Sequence, residues 1–237
     1  MKVTKLPKGM KVTVVGDIHE HPKHLDKLLQ KLDLGEQHKL VSLGDIYDKG
    51  YGLEAAETIT DKLKELVDRE LAYVIRGNHE QKRINRGEIS PGIEWFARRE
   101  LALMFTFYNQ TKLTIVHGGV IPHHTYQDLK NNVETLYIRT LDESGNFIPL
   151  IWKEIDGRRK LVAAKEGKPW HEYYDGRFGY IISGHDSQAD GEPKLYSYSC
   201  NIDTKCYQTG ILTAITYGER GRESLIRIEG EAANPEL

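Results

Sequence analysis

Six side chains carry the chemistry open to this sequence: Asp17, His19, Asp45, Asn78, His117 and His185. They stand in short, glycine-bordered segments. These are Gly16-Asp17-Ile18-His19, Gly44-Asp45-Ile46-Tyr47-Asp48-Lys49-Gly50, Arg76-Gly77-Asn78-His79-Glu80, His117-Gly118-Gly119 and Gly184-His185-Asp186. Together they offer carboxylate oxygen, amide oxygen and imidazole nitrogen, and no thiolate. Such a donor set suits Mn²⁺, Fe or Zn²⁺ and is poorer for Ca²⁺, which prefers oxygen alone. Six donors exceed the three or four expected of one catalytic ion. Two ions bridged by a carboxylate, about 3.5–4 Å apart, account for the number and would clamp both oxygens of an in-line displacement. Any single Gly-Asp or Gly-His pair reads as ordinary turn chemistry. Turn chemistry does not ask for histidine and asparagine at one strand end after another.

These segments need elements that bring them together. Lys11–Gly16, Lys39–Gly44 and Leu71–Ile75 read as short buried strands, each running directly into a motif. Between the first two, Leu25, Leu28, Leu29 and Leu32 recur at helical spacing, and a second helix is predicted from Leu53 to Val67. Strands alternating with helices predict βαβ units and an α/β fold with a largely parallel sheet. Ligands of parallel sheets bind beyond the carboxyl ends of the strands, which is where the motifs fall. Further on, Lys112–Val116, Tyr180–Ser183, Leu195–Ile202, Ile211–Tyr217 and Leu225–Ile228 read as strands with fewer helices between them. They predict a second, more antiparallel sheet packed on the first. Trp95, Phe96, Phe105, Phe107 and Tyr108 have helix-like spacing and are expected in the core. An irregular insertion is expected over about 120–170, holding a helix around Leu129–Ile138, and the tail from Glu229 is expected to fray.

Composition narrows the classes. The 237 residues fit one ordinary domain, 1–237, with no repeat or linker to divide it. Apolar residues at 39% and charged residues at 29% describe a globular chain rather than a disordered one. A net charge of −2 provides no basic field for coating nucleic acid, so no dedicated nucleic-acid surface is expected. Arg158-Arg159-Lys160 reads as a solvated loop. No apolar run is long enough to span a bilayer and no signal-peptide pattern leads the sequence, so a cytoplasmic location without membrane contact is expected. Cys200 and Cys206 have no metal-finger spacing and read as free structural thiols.

In order and in residue type, the five motifs resemble those of the calcineurin-like metallophosphoesterases, specifically the bacterial and phage members of the phosphoprotein phosphatase branch. The likeness spans roughly residues 11–217, with a further echo at Asn201-Ile202-Asp203-Thr204. It implies a four-layer α-β-β-α sandwich, two mixed sheets flanked by helices. It implies two divalent cations, Mn²⁺ first with Fe or Zn²⁺ as alternatives. Asp17, His19 and Asp45 would bind one, Asp45, Asn78, His117 and His185 the other, with a hydroxide between them as nucleophile. The resemblance further assigns His79 as general acid oriented by Asp48, and Lys49, Arg139 and Asn78 to the phosphate. It places Asp203 just outside the metal ligands. The sequence departs from the family pattern at Glu20 and Lys205, each in place of glycine, at Lys49 in place of arginine, and at Asp186 in place of threonine. Glu20 is expected near the pocket rim. Lys49 keeps the charge but lacks the planar fork.

Other polar residues have plainer readings. His21 and His24 are expected on the surface at a helix start, and His123 and His124 in a solvated loop. His171 has no motif around it. Arg76 is expected to support its loop, and Tyr47 and Tyr51 either pack over a leaving group or anchor their loop. Three functions remain open at this point. The first is a Ser/Thr-type phosphoprotein phosphatase, the second a dinucleoside polyphosphate or nucleotide hydrolase with the same metal chemistry. The third is a metal-binding recognition module without turnover, against which an intact Asp48 and His79 stand. The substrate would accordingly be a phosphorylated protein or a nucleotide.

Overall fold

The structure, a computed structural model, describes residues 3–187 and 190–234. The chain opens with β1 (Val3–Lys5), β2 (Lys11–Val15), α1 (Pro22–Gln30), β3 (His38–Ser42), α2 (Leu53–Asp68) and β4 (Ala72–Val74). There follow α3 (Asn78–Asn85), α4 (Pro91–Ala97), β5 (Ala102–Thr106), β6 (Lys112–Val116), α5 (Tyr126–Asn131) and β7 (Thr140–Leu141). Then come β8 (Leu150–Ile155), β9 (Arg158–Ala163), β10 (Lys168–Pro169), β11 (Tyr180–Ser183), β12 (Lys194–Leu195) and β13 (Ser199–Asn201). The described chain closes with α6 (Cys206–Thr209), β14 (Ile211–Gly218) and β15 (Gly221–Glu229).

Two mixed sheets form from these strands. One runs β15-β14-β2-β3-β4 and the other β1-β5-β6-β11-β13-β12. Alternation along each strand decides which layer a side chain enters. Val12 and Val14 of β2 point between the sheets, where they meet Val41, Phe105, Ile115, Ile182 and Ile215. Val15 of β2 and Leu40 of β3 face outward, under α1, α2 and α4. Helix α2 lays Ala56, Ile59, Thr60 and Leu63 on the sheet at the three-to-four-residue spacing of one helical stripe. Each such aliphatic side chain stabilises the layer by about 1.5–3 kcal/mol. The far face of the second sheet is covered by Trp170, Ile138, Leu129 of α5 and Phe178, packed on Met104, Val116 and Ile181. The four-layer α-β-β-α order therefore follows from where the apolar side chains point.

Each sheet contains a parallel trio. Val15, Ser42 and Val74 end β2, β3 and β4 in register. Ile115 of β6, Ile182 of β11 and Cys200 of β13 are likewise aligned. The motif loops leave from the carboxyl ends of these six strands.

Several expectations need correction. Ala102–Thr106 is a strand, not a continuation of helix: Phe105 and Phe107 are two apart, which is the strand period. Those two rings and Phe96 are buried, while Tyr108 stands 63% exposed at the turn into β6. Leu195–Ile202 is not one strand; β12 and β13 pair antiparallel around a turn. The helix expected at Leu129–Ile138 is instead the short α5, capped by Thr125, followed by a 3-10 turn at Val133–Leu136. Arg158-Arg159-Lys160 lies on β9, which among the described residues pairs only with β8, in an exposed hairpin. The tail does not fray at Glu229. Gly230 N donates to Gly210 O at 2.9 Å and Asn234 N to Tyr207 O at 2.8 Å; Pro235–Leu237 lie outside the described residues. Among the described residues, no helix is long and apolar enough to cross a membrane.

Candidate metal centre

The strand-end loops bend sharply, and the sharpness is visible in the backbone. His19, Glu20, Asp45, Asp48, Lys49 and His185 all have left-handed φ, between 44° and 72°. For a residue with a Cβ that conformation costs roughly 1–2 kcal/mol, so something must hold these loops. Glu80 holds the second motif. Its buried carboxylate accepts the backbone N–H groups of Asp45 (2.9 Å), Ile46 (2.7 Å), Tyr47 (3.3 Å) and Gly77 (2.7 Å). Glu20 holds the next stretch, accepting from the amides of Asp48 (2.8 Å), Gly50 (2.9 Å) and Gly52 (2.9 Å). Glu20 is thus not a rim side chain: it is 3% exposed and turned inward onto the loop that carries Asp48 and Lys49. Gly77 is demanded by the site itself, since a Cβ there would lie 2.1 Å from Asp45 Oδ1 and 2.8 Å from the His117 ring.

Of the six expected ligands, His19, Asp45, Asn78, His117 and His185 come together, while Asp17 falls in neither candidate donor group and His79 stands where the resemblance puts Asp17. Asp45 is at the centre, buried, with Oδ2 3.8 Å from His19 Nε2 and Oδ1 3.4 Å from His117 Nε2. Two sets of donor atoms could each surround a cation: His19, Asp45 and His79, and Asp45, His117 and His185. Asp45 belongs to both. Asn78 Oδ1 lies 2.9 Å from His117 Nε2 and 2.7 Å from His185 Nδ1, so it joins the second set. Asp17 sits below, accepting the His185 N–H at 3.1 Å. The outer ring nitrogens fix the tautomers. His117 Nδ1 donates to Leu43 O at 2.9 Å, and His19 Nδ1 to Tyr47 O and Asp48 O at 3.1 Å. Both rings turn Nε2 toward Asp45, with the outer nitrogen held by a backbone carbonyl as is usual for metal-binding histidines.

The electrostatics ask for positive charge. Burial raises Asp17 well above the ordinary carboxylate range, and the neighbouring Asp203 and Asp45 raise it further. Asp203 is raised by burial as well. Asp45 is held well below that range: burial opposes its charge, but the His117, His79 and His19 rings outweigh burial. Burial also works against charge on His117, yet Asp45, with Asp17 and Glu80, lifts it to about 9. Three buried carboxylates gathered round imidazoles whose Nε2 atoms point inward are a donor set that fits two divalent cations, which would take the place of the proton on His117.

Beside this cluster, His79 Nδ1 is 2.7 Å from Asp48 Oδ2, while its Nε2 faces Asp45 Oδ2 at 3.9 Å. Arg83 grips the other Asp48 oxygen at 2.6 Å, and Glu88 grips Arg83 at 2.8 Å. Burial would raise Asp48, but His79 and Arg83 overcome it and hold the carboxyl far below its ordinary range. Neither Arg83 nor Glu80 was singled out from the sequence. Glu80 closes the Gly-Asn-His-Glu motif, and Arg83 lies one helical turn beyond it on α3, so helical spacing from His79 was the available signal.

The remaining expected residues ring the centre. Lys49 Nζ stands 4.7 Å over the Tyr207 ring. Arg139 Nη2 donates to His185 O at 2.9 Å, and its Nε lies 3.7 Å from Asp186. Asp203 Oδ1 accepts the Lys205 amide at 2.9 Å, and Lys205 has φ 59°, so a side chain occupies a left-handed position where the family pattern has glycine. Arg76 supports its loop through Ala97 O. Tyr47 is buried and donates to Glu57, whereas Tyr51 is half exposed. His21 and His24 are not at the surface; both are buried, at 0% and 3% exposure. His124 is buried too, and His171 is stacked between Trp170 and Tyr196 away from the ligands.

Comparison with known proteins follows the same outline. The profile of the family described as calcineurin-like phosphoesterase matches residues 10–189. A bis(5'-nucleosyl)-tetraphosphatase PrpE [asymmetrical] of Geobacillus sp. is 26% identical over 245 residues, covering 89% of this chain and 91% of its own. The protein of that name in Bacillus anthracis is 23% identical over 252 residues, covering 89% and 92%. Among solved structures, one reported as a "putative diadenosine tetraphosphatase" superimposes with TM-score 0.70 at 22% identity, covering 97% of this chain and 98% of the other. A Saccharomyces cerevisiae protein serine/threonine phosphatase with similarity to human phosphatase PP5 gives TM-score 0.61 at 16% identity, covering 97% and 84%.

Proposed function

The chain belongs to the calcineurin-like phosphoesterases, and from that premise we propose that its metal centre hydrolyses dinucleoside polyphosphates or related nucleotides. It is a metal-dependent phosphoric ester hydrolase. The observation that carries the proposal is the meeting of two parallel strand trios over one shared carboxylate, Asp45. For the substrate, the support is that relatives matched along nine-tenths of this chain are named bis(5'-nucleosyl)-tetraphosphatases. The likeness to a Ser/Thr phosphatase is one of fold alone, so a phosphorylated protein stands second.

In this reading Asp17, His19 and Asp45 hold one cation, and Asp45, Asn78, His117 and His185 hold the other, with Mn²⁺ the ion of choice. When bound, the ions supply Lewis acidity and a water acidic enough to attack phosphorus at neutral pH. The chain supplies the rest. His79 donates a proton from Nε2 to the leaving oxygen, because Asp48 fixes its other nitrogen at 2.7 Å. Arg83 keeps Asp48 ionised, and the ionised Asp48 holds the His79 ring with Nε2 turned inward. Lys49 and Arg139 balance the phosphate charge. A recognition module would have no use for this His79–Asp48–Arg83 chain.

The test is a substrate panel after chelation and reloading with each of Mn²⁺, Zn²⁺ and Fe²⁺. A dinucleoside tetraphosphate should show a higher kcat/KM than a phosphopeptide, with p-nitrophenyl phosphate turned over as well. A phosphopeptide preference would overturn the substrate. Wild-type rates from His79→Ala would remove the acid from the scheme.

A further inference from the structure

A cavity of about 540 Å³ is lined by His21, Lys23, His24, Lys27, Tyr51 and Glu231. Its volume is that of a small-molecule site. None of these residues belongs to the metal centre, yet the cavity borders both loops that build it. His21 follows His19 by two residues and Tyr51 follows Lys49 by two.

Its lining is specific. His21 Nδ1 lies 2.6 Å from His19 O and 3.1 Å from Ile18 O. Both partners are acceptors, so Nδ1 carries the proton and Nε2 is an acceptor. That Nε2 is buried and has no partner among the described residues, a state that calls for a ligand or an explanation. The Tyr51 ring lies 4.9 Å from the His21 ring, and its hydroxyl donates to Glu231 O at 3.3 Å, which fixes an aromatic surface that is 52% exposed. Lys23 and Lys27 stand on the first two turns of α1, whose N-terminus lacks a side-chain cap. Lys27 donates to Glu229 O at 2.9 Å and retains two further protons. Two ammonium groups against the single carboxylate of Glu231 favour an anion. A flat ring, a lone acceptor and positive charge together match a nucleotide.

We propose that this cavity seats the outer nucleoside of the substrate. The base lies along Tyr51, an amino or hydroxyl group of the nucleoside donates to His21 Nε2, and Lys23 and Lys27 draw the phosphate chain toward the metal centre. This rests on the nucleotide reading above and adds to it the place where the nucleoside binds.

The experiment compares wild type, Tyr51→Ala and Lys23→Glu in Mn²⁺, with diadenosine tetraphosphate and with p-nitrophenyl phosphate. Tyr51→Ala should raise KM for the dinucleotide about tenfold, the loss of one base–aromatic stack, with kcat and both constants for the aryl phosphate unchanged. Adenosine monophosphate should inhibit wild type competitively and both variants more weakly. Unchanged dinucleotide KM in both variants, or non-competitive inhibition, overturns the nucleoside seat. Wild-type turnover of the aryl phosphate with none of the dinucleotide overturns the substrate reading instead. Calorimetric titration with adenosine monophosphate then decides the cavity: binding lost in Tyr51→Ala supports a nucleotide site, and no binding to wild type refutes it.

Discussion

Glu80 touches neither a proposed cation nor the phosphate, yet its carboxylate takes four backbone amides from the loops bearing Asp45 and Asn78. An amide in its place offers one acceptor oxygen and sets its NH₂ against N–H donors. Glu80→Gln should therefore weaken Mn²⁺ binding about 10–100-fold, the usual effect of losing a group that orients a ligand; a metal titration of the purified variant checks it. His171 belongs to stability alone. Its ring is clasped by Trp170 at 3.8 Å and Tyr196 at 4.2 Å, and burial pushes its pKa down to about 3. The unfolded ring takes up a proton near pH 6.5, so between about pH 6.5 and 3 the unfolded state binds more protons. Stability is then lost as pH falls through that window and is unaffected above it. At pH 5 the loss is on the order of 2 kcal/mol, and urea denaturation of His171→Phe should show it removed. The ligands were legible because aspartate, asparagine and histidine at strand ends have no structural reason to recur. Glu80 and Arg83 were not, because a glutamate or arginine on a helix looks like any solvated one until its partners are known.

The loop from Gly44 to Gly52 is a separate element with its own support. Glu20, at φ 62°, occupies a left-handed position without glycine's freedom, and in return accepts three amides of that loop. Restoring the glycine of the family pattern relieves the local strain but releases the three amides. In Glu20→Gly, hydrogen exchange at Asp48, Gly50 and Gly52 should quicken at least about tenfold, as expected where local opening becomes easier, while β2 amides keep their rates. Equal protection in both proteins would show that the loop holds itself. Strands β2, β3 and β4 and helices α1 and α2 were readable from periodicity, since each buries one continuous face. Strand β5 was misread because Phe96 and Trp95 on α4 extend an aromatic run into it, and the β12–β13 turn was hidden by Tyr196 and Tyr198, residues at home in strands. The β8–β9 hairpin buries no face, so no period marked it.

At the scale of the molecule, the cations would tie the two sheets together: one sheet brings Asp17, His19, Asp45 and Asn78, the other His117 and His185. Chelation should lower Tm and Mn²⁺ restore it. An ion at about a hundred times its Kd adds roughly 2.7 kcal/mol, or about 5–10 °C in a chain of this size; a thermal melt in EDTA and in Mn²⁺ measures it, and coincident melts would refute the tie. The two-sheet plan was visible in the change from alternating strands and helices to strands alone, but the pairing of β14 with β2 was not, because it joins residues some two hundred positions apart. That pairing has a consequence for biogenesis. Strand β14 is made long after β2, and Thr213 supplies the carbonyl that holds the Gly16 amide at 3.0 Å, one residue before Asp17. On the ribosome, the first ligand-bearing turn must wait for roughly two hundred further residues to emerge, so metal capture follows the closing of this sheet rather than seeding it.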